Sequence, residues 1–156
     1  MRIADALNIE SIDAKVDLDS KNDVLLHLVD LIGKAGVVKD IDQVRDVIFK
    51  REEIMSTGVG QGFAVPHAKT NAVSKTSAAL LTLAQPVDYQ SLDNQPVRIV
   101  IMLVGPEDAF SAHLRLLSRI SRLMTDPEFR ARLATAGSAQ ELYDCIDDEE
   151  SRKLDH

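Results

Sequence analysis

The chain has 156 residues, 45% hydrophobic and 28% charged, a composition typical of one globular domain whose core needs no metal or disulfide. Its formal net charge of −7 argues against nucleic-acid binding, which depends on a concentrated basic surface. No apolar run reaches the roughly 20 residues that span a bilayer, and the N-terminus lacks a signal-peptide pattern. We therefore expect a cytoplasmic protein with no direct membrane insertion. The single cysteine, Cys145, cannot form an internal disulfide and fits a reducing compartment.

The first half of the chain predicts two helices followed by strands. Residues 20–23 resemble a capping box, and apolar residues at helical spacing continue from there to Gly36. A second amphipathic helix is predicted from Asp42 to about Arg51. Strands are predicted at three places: residues 62–65, 77–84 and 97–104. The last of these is an almost unbroken apolar run, which is typical of a strand buried on both faces.

The second half of the chain predicts three helices from their start signals. Ser111 can cap a helix that runs to Met124. Asp126 is an N-cap candidate followed by Pro127 at the first helical position. Ser138 opens a capping box at the start of the last helix.

This order of elements predicts the fold class and the domain organisation. Helices on both sides of several buried strands indicate a single-domain α/β fold with a mixed, mostly parallel sheet and helices packed on both faces. We assign residues 1–148 to this domain and residues 149–156 to a polar C-terminal tail that ends in His156 and is expected to be frayed. We expect His27, in the middle of the first helix, to be a half-exposed helical histidine.

His67 is distinguished by the residues before it. Gly58, Gly60 and Gly62 allow a tight backbone turn and can bring bare amides close to an anion, while Pro66 fixes φ just before the histidine. The run lacks the Gly-Lys-Ser/Thr ending and the immediate helix of a phosphate-binding loop, which argues against nucleotide binding. The residues alone leave both a functional and a structural hydrogen-bonding role open.

Two more polar residues lie on apolar helix faces. His113 shares a face with Ile120 and is expected to point inward near the start of its helix. Arg51 follows Ile48 by three positions and is expected on the apolar face at the last turn. Each has a structural alternative, a satisfied core histidine and a snorkelling or ion-paired arginine. Together with His67, they could form a small anion site.

Two motifs carry a family resemblance. The run Arg51–Thr70 resembles the phosphorylation-site motif of the fructose/mannitol-type enzyme IIA of the bacterial sugar phosphotransferase system, a family that includes the nitrogen-regulatory enzyme IIA. The run Gly105–Glu107, followed by His113 and Leu114, is similar to the family's second signature. The resemblance covers roughly residues 3–147 and implies a mixed sheet between helices.

The resemblance implies a phosphoryl carrier. His67 would accept a phosphoryl group from the phosphocarrier HPr and pass it to an enzyme IIB domain for sugar uptake and phosphorylation, while His113 and Arg51 hold and neutralise the group. The second nitrogen of His67 would keep a proton held by a backbone carbonyl or a nearby acceptor. Three further residues could add hydrogen-bond donors: Ser56, Thr57 and Gly58. No metal, nucleotide or other cofactor is implied, and Cys145 is expected in the core of the last helix.

Three alternatives remain open at this level. A regulatory, nitrogen-type enzyme IIA would use the same chemistry at His67, but its phosphorylation state would control protein partners. A metal-binding or hydrolytic site would use His67 and His113, although the chain has no His-Glu-x-x-His motif, paired cysteines or nucleophile elbow. In a third, purely structural alternative, His67 would be inert. Separately, the arginine-rich stretch of residues 115–132 predicts a solvated helix face or, alternatively, a docking surface for an acidic partner.

Overall fold

Six strands form one mixed sheet in the computed structural model, which describes residues 1–155. The strands are β1 (Ile12–Val16), β2 (Gly58–Gly60), β3 (Phe63–Ala64), β4 (His67–Lys69), β5 (Ser77–Val87) and β6 (Val97–Gly105). Their order is β1-β5-β6-β3-β2, and β4 also pairs with β6. The β1–β5, β3–β6 and β4–β6 pairs are parallel, whereas β5–β6 and β2–β3 are antiparallel. The predicted mixed, mostly parallel sheet is confirmed.

Six helices accompany the sheet: α1 (Ile3–Ala6), α2 (Lys21–Gly33), α3 (Ile41–Ile54), α4 (Phe110–Met124), α5 (Pro127–Thr135) and α6 (Ala139–Lys153). Ser20, Asp126 and Ser138 cap their helices through side-chain oxygens, as predicted. The predicted cap at Ser111 is wrong. Helix α4 begins at Phe110, and its N-cap, Ala109, has no side-chain acceptor, so Ser111 lies inside the first turn.

The two central strands are buried on both faces. One apolar cluster joins one face of β5 and β6 to α2 and α3, and a second joins the opposite face to α1, α4, α5 and α6. The helices therefore pack on both faces, as the composition of β6 predicts. No helix within residues 1–155 has the length and apolar character needed to cross a membrane.

The expected polar tail is largely part of the last helix. Helix α6 continues to Lys153, and both Glu149 and Glu150 are buried. The Glu150 carboxylate accepts hydrogen bonds from the amides of Ile3 at 2.7 Å and Ala4 at 2.8 Å, so it joins the C-terminal helix to the start of the chain. The predicted frayed tail is therefore wrong for residues 149–153, which are helical. The domain boundary at residue 148 stays a prediction. His156 lies outside the described residues.

Candidate functional site

His67 begins strand β4 and lies at the edge of the central strand β6. It pairs with Leu103, whose amide donates to the Pro66 carbonyl at 3.0 Å. The half-buried imidazole places Nδ1 2.8 Å from the Val65 carbonyl oxygen. Because a carbonyl only accepts, Nδ1 carries the proton and Nε2 carries the lone pair. The expected backbone carbonyl partner is confirmed, and Nε2 has no hydrogen-bond partner within residues 1–155.

His113 lies beside His67 and faces inward from α4. The two ring centroids are 5.7 Å apart, and the ring planes are inclined at 51°. His113 is only 4% exposed, so its predicted inward position is confirmed. Burial, with smaller contributions from the charges of His67 and Lys69, lowers the pKa of His113 to about 4. This imidazole is therefore neutral at pH 7.

The tautomer of His113 follows from its buried nitrogen. Nδ1 is buried and has no hydrogen-bond partner within the described chain. A Cβ at Gly105 would lie 3.6 Å from this atom, so the end of β6 packs closely against the ring. A buried N–H without an acceptor is rarer in folded proteins than a buried acceptor without a donor. We therefore assign the proton to Nε2, which makes His113 a neutral hydrogen-bond donor.

Lys69 lies close enough to His113 for its charge to lower the pKa of that ring, and the sequence interpretation did not single it out. It lies two positions after His67 in β4 and therefore on the same face of the strand. Its Nζ lies 4.3 Å from the centroid of the Phe110 ring, which places the ammonium at the start of α4. No sequence signal pointed to it, because strand β4 was not predicted and only that strand places residues i and i+2 on one face.

Arg51 lies in the last turn of α3, the helix that packs against β4. Its guanidinium Nη1 donates to the Met55 carbonyl oxygen at 3.0 Å, which satisfies the free end of its own helix. The predicted inward position is only partly correct. The buried stripe of α3 consists of Val44, Ile48 and Glu52 at a spacing of four, so Glu52 points inward and Arg51 is half-buried at the edge.

The three expected supporting residues have their polar groups engaged within the protein. The Thr57 amide and hydroxyl both donate to the buried carboxylate of Glu52. The Ser56 hydroxyl donates to the Tyr89 carbonyl at 3.2 Å and accepts from the Gly58 amide at 3.1 Å. These contacts fix the course of the loop between α3 and β2. A direct contact of Ser56, Thr57 or Gly58 with a phosphoryl group stays a prediction.

Other reactive groups lie away from these residues. Cys145 is partly buried in α6, and burial raises the pKa of its thiol, which agrees with the expected core position. Nε2 of His27 lies 2.9 Å from the Asp13 carboxylate, and the ring is partly exposed, as predicted. Within residues 1–155, no three His, Cys, Asp or Glu side chains are grouped closely enough to hold a metal ion.

The sequence matches known proteins along most of its length. Residues 5–149 match the family described as "Phosphoenolpyruvate-dependent sugar phosphotransferase system, EIIA 2". The chain is 36% identical over 146 residues to the fructose-specific EIIABC component of Bacillus subtilis. The aligned residues make up 94% of this chain and 23% of that protein. It is also 33% identical over 148 residues to a nitrogen regulatory protein of Bradyrhizobium diazoefficiens, covering 94% and 95% of the two chains.

Solved structures show the same fold. The nitrogen regulatory protein IIA-Ntr of Neisseria meningitidis superposes with a TM-score of 0.86 at 28% identity, covering 92% of this chain and 98% of that one. The mannitol enzyme IIA of Escherichia coli, solved in complex with phosphorylated mannitol enzyme IIB, gives a TM-score of 0.78 at 19% identity over 90% and 96% of the chains. With the match over residues 5–149, these likenesses show that the chain belongs to the type 2 enzyme IIA family of the phosphoenolpyruvate-dependent sugar phosphotransferase system.

Proposed function

We propose that this protein is a cytoplasmic phosphoryl carrier that accepts a phosphoryl group on Nε2 of His67 from an HPr-like phosphocarrier and passes it to an enzyme IIB domain. The observation that carries the proposal is the 2.8 Å contact between Nδ1 of His67 and the Val65 carbonyl, which leaves the Nε2 lone pair available as a nucleophile. In the first step the P–N bond of the donor phosphohistidine breaks as the P–Nε2 bond forms. The donor imidazole leaves with the bonding electron pair.

The surroundings of His67 suit the negative charge of a phosphoryl group. Phosphoryl transfer depends mainly on positioning and charge stabilisation. His113 supplies a neutral N–H donor beside the acceptor ring, with 5.7 Å between the ring centroids. Lys69 adds a cation on the same strand face, and Arg51 ends the helix that packs on β4. The Lys69 ammonium is close enough to His113 to contribute to the lowered pKa of that ring.

Exposed apolar side chains next to these residues favour docking of a protein partner. Five large apolar side chains, from 49% to 80% exposed, belong to segments that contain or border site residues: Ile54, Met55, Val59, Phe110 and Leu114. A carrier that exchanges a phosphoryl group with other proteins must dock them over the reactive histidine. Apolar anchors around a polar centre are the usual means of such recognition.

Intact mass spectrometry tests the acceptor. The parent chain, His67→Ala and His27→Ala are incubated with phosphoenolpyruvate, enzyme I and HPr, and each product is then exposed to acid. We expect one acid-labile phosphoryl adduct on the parent and on His27→Ala, and none on His67→Ala. An unlabelled parent, or a labelled His67→Ala, would refute His67 as the acceptor.

A regulatory role is the second candidate. It is supported by the nitrogen regulatory relative, whose identity of 33% over 148 residues is similar to the 36% over 146 residues of the fructose-specific relative. Both roles place the phosphoryl group on the same histidine, and they differ in the fate of that group. The phosphorylated chain mixed with the enzyme IIB domains of its own genome decides between them. Transfer to one of these domains supports sugar transport, and retention of the phosphoryl group with all of them supports regulation.

A further inference from the structure

Glu52 is a buried carboxylate that binds groups from three separate segments. It accepts hydrogen bonds from the Thr57 amide at 3.2 Å, from the Thr57 hydroxyl, and from the Tyr89 hydroxyl at 3.2 Å. The Lys21 ammonium, from the first residue of α2, lies 2.8 Å from its Oε2. Burying a charge is unfavourable without such partners. Several polar contacts converge on this one carboxylate, which is next to Arg51 in the chain. They indicate a role beyond packing in the core.

A continuous run of hydrogen bonds leads from Glu52 to His67. The Thr57 amide donates to the Glu52 carboxylate, and the Thr57 carbonyl accepts from the Val65 amide at 3.0 Å. The Val65 carbonyl in turn accepts from Nδ1 of His67 at 2.8 Å. The orientation of the imidazole therefore depends, through two intervening residues, on the position of the Glu52 carboxylate.

The same carboxylate also sets the end of α3. The helix ends at Ile54, and Glu52 holds the loop after it through contacts with Thr57. Arg51 donates to the Met55 carbonyl at 3.0 Å and so belongs to this turn. Displacement of the turn would therefore move Arg51 and His67 together.

Tyr89 and Lys21 hold the carboxylate in place. The Tyr89 ring is fully buried and lies 4.6 Å from the Lys21 ammonium. Burial, and the adjacent charge of Glu52, raise the pKa of Tyr89, so its hydroxyl stays protonated and donates to the carboxylate. A Cβ at Gly58 would lie only 2.9 Å from Tyr89 Cδ1, which shows how closely the loop packs on this ring.

We propose that Glu52 is a positioning residue for phosphoryl transfer: through Thr57 and Val65 it keeps the His67 imidazole in the Nδ1–H tautomer, and it sets the place of Arg51. The inference rests on the proposed role of His67 as phosphoryl acceptor. Glu52 does not contact the reacting nitrogen. Because a misplacement of about 1 Å can lower a rate about 10²-fold, loss of this support reduces transfer without removing any reacting group.

Two variants separate positioning from charge. Glu52→Leu combined with Lys21→Met removes the carboxylate and its ammonium partner together, so that no unpaired charge remains buried. Glu52→Gln keeps an acceptor for the Thr57 amide but carries no charge. The initial rate of labelling is measured at several concentrations of phosphorylated HPr, and the tautomer of His67 is measured by ¹⁵N NMR in the unphosphorylated protein.

We expect the double variant to lower kcat about 10- to 100-fold with KM for HPr unchanged, and to show a second ring tautomer. Glu52→Gln should fall between it and the parent in both measurements. Glu149→Gln is the matched control, because Glu149 is another buried glutamate, paired with Arg132 and Lys153 in a different part of the fold. It should lower stability while leaving the kcat and the His67 spectrum unchanged.

The two readouts distinguish failure of this inference from failure of the proposed function. Folded Glu52 variants with the parental kcat and a single His67 tautomer would overturn the inference and leave the acceptor role intact. Labelling that persists in His67→Ala would refute the acceptor role, while a tautomer change in the Glu52 variants would still support ring positioning. If the double variant does not fold, Glu52→Gln decides by the same two measurements.

Discussion

His67 and His113 face each other across the junction of β4 and α4, with ring centroids 5.7 Å apart and planes inclined at 51°. The pair is asymmetric. His67 is half-buried and holds its proton on Nδ1 against the Val65 carbonyl, whereas His113 is buried and has an unpartnered Nδ1 within the described chain. One ring therefore offers a nucleophilic nitrogen and the other a neutral donor, an arrangement that suits the phosphoryl acceptance proposed for His67.

The depressed pKa of His113 predicts an acid-sensitive stability. An unfolded histidine has a pKa of about 6.5, whereas that of folded His113 is about 4. Between these values the unfolded chain binds a proton that the folded chain does not, so the free energy of unfolding falls as the pH is lowered from 6.5 to 4. Over this pH range the titration of His113 lowers the free energy of unfolding by roughly 3 kcal/mol.

His113→Gln tests this linkage, because glutamine does not titrate. Urea unfolding is measured at several pH values for the parent and the variant, and the free energies of unfolding of the two are subtracted at each pH. We expect the parent to lose stability relative to the variant on acidification from pH 6.5 to 4. Parallel curves over this range would contradict the prediction.

Phosphorylation of His67 should raise the pKa of His113. A phosphoryl group brings negative charge next to the His113 ring, and an opposite charge within a few ångströms raises a histidine pKa by about 1–3 pH units. NMR titration of the His113 ring before and after phosphorylation measures the change. His67→Ala, treated with the same donor proteins, is the control and should show none. An unchanged titration in the phosphorylated parent would place the group out of reach of His113.

The Val65 contact predicts which nitrogen is modified. With Nδ1 protonated and held at 2.8 Å from a carbonyl, the phosphoryl group should be found on Nε2. A ³¹P–¹⁵N correlation spectrum of the phosphorylated protein identifies the nitrogen by its one-bond coupling. Coupling to Nδ1 would mean that the Val65 contact breaks before transfer.

Gly58→Ala should destabilise the fold. An added Cβ would lie 2.4 Å from the Ser91 hydroxyl and 2.9 Å from Tyr89 Cδ1, so the loop or its neighbours must shift. We expect a loss of about 1–3 kcal/mol in the free energy of unfolding, measured by chemical denaturation. Gly137→Ala is the matched control, because no atom of the described chain lies within 4 Å of the added Cβ. Equal stability of the two variants would show that close packing is not the reason why position 58 is a glycine.

Glu150→Ala should destabilise the contact between the first and last helices. Its carboxylate is fully buried and accepts from the Ile3 and Ala4 amides and from Arg119. Removal leaves the two buried amides unpaired and leaves Arg119 with Asp155 as its remaining carboxylate partner, which lowers the free energy of unfolding by about 3–5 kcal/mol. Asp148→Ala, an exposed neighbour in α6, should change stability by no more than about 0.5 kcal/mol. A small effect of Glu150→Ala in thermal or urea unfolding would show that water replaces the carboxylate.

The long elements could be predicted from the sequence, and most of the short strands could not. Caps at Ser20, Asp126 and Ser138 and the apolar run of β6 act locally, so their signals lie within a few neighbouring residues. Strands β1 and β4 have five and three residues and pair with β5 and β6, which lie far away in the sequence. Where the local sequence pattern is weak, pairing with another strand therefore decides whether a segment becomes a strand.

The two histidines of the candidate site could be predicted from the sequence, whereas the buried residue at the end of α3 could not. Glycines, Pro66 and helical spacing pointed to His67 and His113, and both lie together in the structure. The sequence did not show that Glu52, rather than Arg51, occupies the buried face of α3, because spacings of three and four fit a helix almost equally well. Two partners of Glu52, Lys21 in α2 and Tyr89 after β5, are distant in sequence, and such long-range contacts leave no local pattern.

The order of strands in the sheet has a consequence for folding kinetics. Strands β5 and β6 are neighbours in sequence and pair antiparallel, so they close a short loop and should form early. His67 and His113 come from β4 and α4, which flank that pair in sequence and can meet only after β6 has paired on its second edge. Phosphoryl acceptance should therefore return only after β5 and β6 have paired, and the rate at which labelling is regained during refolding would report the pairing of β4 with β6.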